Sequence, residues 1–115
     1  DMITDGQEER EFLYAQDCCE ALETVMNNYD DFKSDDDLHI TSFSSIKIID
    51  IAKIIQQRFS IIGKNVSIKP SIDTDTVQQN SKNIASRYLT NWWKPKTSLD
   101  DGIAKIFASM MKNYD

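Results

Sequence analysis

At 115 residues the chain has room for one domain with a modest core, and its apolar fraction of 40% suits an ordered globular segment rather than a disordered one. A net charge of −6 repels nucleic acid and anionic membranes, so neither is expected as a partner, and an anionic ligand would need a local cluster of cations. No apolar run approaches the roughly 20 residues that span a bilayer and no signal peptide is visible, so a cytoplasmic protein is expected.

The first informative stretch is Arg10-Glu11-Phe12-Leu13-Tyr14-Ala15-Gln16-Asp17, led in by Asp5-Gly6-Gln7. Residues 12–15 are a short apolar and aromatic run of strand type. Asp17 reads as the N-cap of a helix, with Glu20 three residues on completing a capping box. A strand that delivers Arg10 and turns at once into a capped helix holds a guanidinium at a defined place, where its planar fork of donors suits carboxylate or phosphate oxygens. The plainer reading is a solvated arginine paired with Glu9 or Glu11, the commoner fate of a surface arginine.

The helix is expected over residues 18–28, with Cys18, Ala21, Leu22, Val25, Met26 and Tyr29 as one buried stripe. Cys18 and Cys19 point about 100° apart on a helix and have no metal-ligand spacing, so they read as reduced, structural thiols. The carboxylates of residues 30–37 lack the central glycine and closing glutamate of an EF-hand, and a solvated loop is expected there. Residues 38–41 read as a strand, and the lone His39 as structural.

A second helix is expected over residues 48–59, with Ile48, Ile51, Ala52, Ile55 and Phe59 inward and Lys53, Gln56 and Gln57 outward. Ile54 widens its apolar face, which places it between the sheet and another helix. Gly63 ends the following turn, and residues 66–68 alternate as a third strand before Pro70. Residues 71–80 are polar and read as a surface loop, and residues 81–89 as a short helix with Ile84, Tyr88 and Leu89 inward. Trp92 and Trp93 could stack on a base, but large aromatics more often plug a core. Ser98 caps the last helix, with Asp101 three residues on, and Leu99, Ile103, Ile106, Phe107, Met110 and Tyr114 form its stripe. The expected fold is therefore a small α/β domain: a mixed sheet of about three short strands covered by helices.

Two of these stretches carry a resemblance. Gly6-Gln7-Glu8-Glu9-Arg10-Glu11-Phe12-Leu13-Tyr14-Ala15-Gln16-Asp17 is similar to the G-x-x-x-R-[DE]-[FY]-[IVL]-[YH]-x-x-D signature of the NAD(P)-dependent sugar-nucleotide epimerases and dehydratases, the extended short-chain dehydrogenases. Trp93-Lys94-Pro95-Lys96-Thr97-Ser98-Leu99-Asp100-Asp101-Gly102-Ile103 resembles the same family's G-W-x-P-K-[TV]-S-L-[ED]-[ED]-G-[IL], in the family's order and spacing. The resemblance implies that residues 1–115 are the C-terminal, substrate-binding part of such an enzyme, with a nucleotide-binding Rossmann domain outside this chain. It implies a nucleoside-diphosphate sugar as substrate, with Arg10 gripping the diphosphate and Gln7 and Phe12 shaping the nucleotide pocket. It implies NAD(P) in the parent protein, held outside this segment, and a homodimeric parent.

The sequence also departs from the family's pattern. Gly6, Gly63 and Gly102 stand too far apart to cradle a pyrophosphate. The family's catalytic Tyr-x-x-x-Lys spacing recurs only at Tyr29 and Lys33, in an Asp-rich loop with no serine upstream, so no catalytic residue is assigned and the segment is not expected to catalyse by itself. His39-Ile40-Thr41-Ser42-Phe43 stands where the family carries N-[IV]-G-[ST]-G; both glycines are gone, so a different backbone path or different ligand contacts are expected. Around Asp73 and Asp75 the family's [RP]-x-G-D arginine is missing, and Lys69, Lys82 or Arg87 could supply the cation instead. Two other readings stay open: a non-catalytic relative that keeps the fold, and an unrelated small protein-interaction module.

Overall fold

The computed structural model describes residues 1–33, 35–74 and 84–113. Its first organising feature is the turn at Gly6, which has φ +78°. A Cβ there would lie 2.6 Å from Met2 Cε and 2.8 Å from Ile49 Cβ, so only glycine fits. The close approach lets the Gly6 carbonyl accept from Ile49 N at 2.9 Å and the Glu8 carbonyl from Ile48 N at 3.1 Å. Two first-turn N–H groups of a distant helix are thereby satisfied by backbone, without a side-chain cap.

Strand β1 (Glu9–Glu11) pairs antiparallel with β2 (Ser45–Lys47), in the register Glu9 to Lys47, Arg10 to Ile46 and Glu11 to Ser45. Opposite charges at the first of these pairs favour that register. Among the described residues the sheet has these two strands, where a mixed sheet of about three was expected. The first strand lies just before residues 12–15: Leu13 and Tyr14 are partly buried, Phe12 stays exposed, and Ala15 already starts a helix. Residues 38–41 and 66–68 form no ladder. Strand propensity is realised only where a partner edge is offered. Residues 2–5 instead run irregularly beside residues 69–73, with Met2 N donating to the Lys69 carbonyl and Ser71 N to that of Thr4.

Helix α1 (Ala15–Asn27) begins earlier than the sequence indicated, with Tyr14 at its N-cap and no side-chain cap. The capping box from Asp17 to Glu20 does not form, because the Asp17 carboxylate is turned inward to other partners. Ala21 and Val25 face the core, but Leu22, Met26 and Tyr29 of the expected stripe are exposed, Met26 at 78%. Tyr29–Asp31 makes one 3-10 turn at the end of this helix.

Helix α2 (Ile48–Ile61) and helix α3 (Leu99–Lys112) form where their apolar periodicity places them, but Ile55 of the first expected stripe and Ile106 and Met110 of the second are exposed. Gly63, at φ +78°, terminates α2: Gly63 N donates to the Ser60 carbonyl and Lys64 N to that of Phe59. Ser98 caps α3 as expected, its Oγ accepting from Asp101 N at 3.2 Å. The two helices meet through Phe59 and Phe107, edge to face with centroids 5.0 Å apart, and through Arg58 to Asp100 at 2.9 Å. Tyr114, the last of the α3 stripe, lies outside the described residues, as do residues 81–83 of the expected short helix. The rest of that segment is irregular until a single 3-10 turn, Tyr88–Asn91, which inserts Leu89 into the interior.

Among the described residues Ala21, Leu89 and Trp93 are the buried apolar side chains, with Leu13, Val25, Phe32, Leu38, Ile40 and Phe43 packed around them. Trp93 contributes by packing alone, since its Nε1 has no acceptor. The chain spreads over 51 × 39 × 16 Å with a radius of gyration of 17.3 Å. A compact domain of this length would have about 13 Å, so the fold is a single thin layer. Among the described residues no helix is long and apolar enough to cross a membrane, and no group of His, Cys, Asp or Glu is placed to hold a metal ion.

Candidate ligand cleft

The site grows from the meeting of the two ends of the chain. Asp17, 2% exposed, accepts from Lys96 N at 3.1 Å and Thr97 N at 2.8 Å through one carboxylate oxygen. A buried carboxylate is costly unless satisfied, and these two amides satisfy it. Tyr14 lays its ring against the first turn of α3, where a Cβ on Gly102 would lie 3.3 Å from Tyr14 Cδ2, and Lys105 Nζ sits 5.3 Å from the ring centroid. The segments that carry the two family-like motifs are thus one contact surface: the aspartate and tyrosine of the first hold the backbone and glycine of the second.

Between this junction, β2 and the start of α2 lies a cleft of about 1120 Å³. That is slightly above the roughly 300–1,000 Å³ usual for small-molecule pockets. Phe12, Phe43, Ile46, Ile51, Leu99 and Ile103 give it an apolar wall. Arg87, Lys94 and Lys96 supply cations, and among the described residues no carboxylate lines it. This is the reverse of the whole chain, in which 19 acidic residues outnumber 13 basic ones. Lys96 is engaged by Glu20, Nζ to Oε2 at 3.3 Å. Arg87 and Lys94 have no carboxylate partner among the described residues.

Of the three residues singled out from the sequence, Phe12 lines the cleft. Arg10 does not: it sits half-buried in β1 opposite Ile46, and its Nη1 donates to the Glu9 carbonyl at 2.9 Å. Gln7 is exposed ahead of the strand, its Oε1 accepting from Lys47 Nζ at 3.2 Å, also off the cleft. Of the candidate replacement cations, Arg87 lines the cleft, Lys69 does not, and Lys82 lies outside the described residues. Lys94 and Lys96 also line the cleft and were not singled out from the sequence; their place within the second motif, on either side of Pro95, was the available signal. His39 is structural: its Nδ1 accepts from Ser86 N at 2.8 Å and so ties residues 84–87 to the loop before β2.

That loop shows how the missing glycines are accommodated. Phe43 takes φ +57°, the left-handed conformation that glycine adopts freely and that costs another residue roughly 1–2 kcal/mol. Its ring packs against the core and lies under the Arg87 guanidinium, 5.3 Å from centroid to Cζ, while Arg87 Nη2 donates a long hydrogen bond of 3.5 Å to the Phe43 carbonyl. Thr41 Oγ1 donates to the Glu11 carboxylate and fastens the same loop to β1.

The fold is thus a thin α/β layer that carries an apolar cleft lined by cations. In sequence, the chain is 31% identical over 110 residues, 94% of its length, to GDP-L-fucose synthase of Sinorhizobium fredii (strain NBRC 101917 / NGR234). It spans 32% of that relative, which is by name a sugar-nucleotide synthase. No family model and no solved structure matches the chain.

Proposed function

We propose that the chain is the substrate-binding third of an NAD(P)-dependent sugar-nucleotide enzyme of the extended short-chain dehydrogenase family, and that its cleft holds part of a nucleoside-diphosphate sugar. The observation that carries this reading is a cleft lined, among the described residues, by three cations and no carboxylate, in a chain of net charge −6. Such a local inversion of charge suits a phosphorylated ligand, and the apolar wall suits the base or the sugar face. The 31% identity to GDP-L-fucose synthase supports the same ligand class. In this reading Phe12 is part of the wall, while Arg10 in β1 and Gln7 ahead of it lie off the cleft and meet the diphosphate and the nucleotide where the ligand runs beyond it. The NAD(P) site and the catalytic residues belong to a Rossmann domain elsewhere in a homodimeric, cytoplasmic parent. That domain would cover apolar side chains left open here, such as Ile106 and Met110 on α3.

Calorimetric titration of the full-length protein with GDP-L-fucose and other nucleoside-diphosphate sugars tests the reading. Arg10→Ala is expected to weaken binding by about 2 kcal/mol, the scale of one charge-assisted contact. Equal affinities for wild type and variant would remove Arg10 from the site. Failure of the wild-type protein to bind any of these ligands would remove the function itself.

A further inference from the structure

We propose that Arg87, seated on the Phe43 ring, is a phosphate-holding cation of the cleft, and that Phe43 is its positioning residue. The inference deepens the reading of the cleft as a nucleoside-diphosphate-sugar site and rests on it. Three observations converge. Arg87 lines the cleft and has no carboxylate partner among the described residues, whereas Lys96 on the same lining is paired with Glu20. Its backbone is firmly mounted: the Arg87 carbonyl accepts from Thr90 N at 3.0 Å and from Thr90 Oγ1 at 2.6 Å, and Leu89, within the same turn, is fully buried. On its other side Ser86 N is bonded to His39 Nδ1.

The third observation is the Phe43 backbone. A phenylalanine is kept in a left-handed conformation that a glycine would adopt without strain. What the phenylalanine adds at that position is the ring, which packs against the core on one side and meets the guanidinium at 5.3 Å. Stacking on an aromatic face fixes the plane of a guanidinium and leaves its edge donors available for a phosphate. Lysine could not reproduce this, because an ammonium has neither the plane nor the fork.

The experiment is titration of the full-length protein with GDP, using wild type, Arg87→Ala, Arg87→Lys and Phe43→Leu, with thermal unfolding recorded for each. Arg87→Ala is expected to lower GDP affinity about tenfold, as expected for one phosphate contact. Arg87→Lys should recover only part of that loss. Phe43→Leu, which keeps apolar bulk and removes the aromatic face, should lower the affinity about threefold with the guanidinium still present. Wild-type binding of GDP that Arg87→Ala leaves unchanged would overturn the phosphate role of Arg87 while the function of the cleft stands. A full loss in Arg87→Ala with no change in Phe43→Leu would overturn the positioning role of Phe43. Absence of GDP binding by the wild-type protein would overturn the underlying reading, and this inference with it.

Discussion

The two ends of this thin layer are built differently. Around α1 the chain closes a true core: Ala21 and Leu89 have no exposed surface, Trp93 is nearly covered, and Phe32, Tyr88 and Trp92 interlock edge to face. Around α2 and α3 it does not. No side chain of α2 is buried, Ile106 and Met110 of α3 are about half exposed, and the helices meet chiefly through Phe59 and Phe107. In sequence α1 is the least apolar of the three helices, so composition does not account for the difference. The difference is topological: α1 is wrapped by segments from three parts of the chain, whereas α2 and α3 are held by other segments chiefly at their first turns, by the Gly6 turn and by Tyr14, and beyond those lie against each other. An amphipathic pair left in that state is stabilised by whatever covers it, which in the proposed reading is the remainder of a longer protein.

Mutations can break this contrast, and the largest effect is expected in the closed core. Leu89→Ala removes a fully buried side chain and should cost about 4 kcal/mol, read by chemical denaturation of the full-length protein. Trp92 and Trp93 make fluorescence a reporter of this region in particular. Asp17→Ala should cost about 3 kcal/mol in the same assay, because two charge-assisted bonds vanish and the Lys96 and Thr97 amides are left without their acceptor. It should also loosen the cleft by releasing one wall.

Phe107→Ala should cost only about 1 kcal/mol, since the ring is half-buried and makes one edge contact. Hydrogen exchange over α3 would localise the change. A loss in Phe107→Ala as large as that in Leu89→Ala would erase the distinction between the regions. It would show that α2 and α3 are fully packed within the complete protein.

Helices were the most legible part of the sequence. The spacing of Ile48, Ile51, Ala52, Ile55 and Phe59 located α2 to within two residues of its observed end, and Ser98 marked the start of α3. The strands were less legible. Glu9-Arg10-Glu11 is a polar triplet that no apolar pattern would select, and it is a strand only because Ser45-Ile46-Lys47 lies alongside. Asp17 was recognised as important for the wrong reason: its position near a helix start fits an N-cap, while its actual partners are two amides far along the chain.

The site was partly legible in the same sense. Phe12 lines the cleft, but Arg10, the residue that the motif draws most attention to, does not. The cations that do line it come from residues 87–96, distant in sequence from the stretch on which the first motif sits.

What the sequence determined by itself was local: the periodic helices, the glycine that ends the turn after α2 at residue 63, and the cap at Ser98. Each depends on hydrogen bonds or sterics within a few residues, or on a backbone conformation that one residue type alone adopts freely. The tertiary structure decided which polar triplet became a strand, where the Asp17 carboxylate found its donors, and which cations face the cleft. Those outcomes depend on segments separated by tens of residues arriving at one place, and no local propensity encodes that arrival.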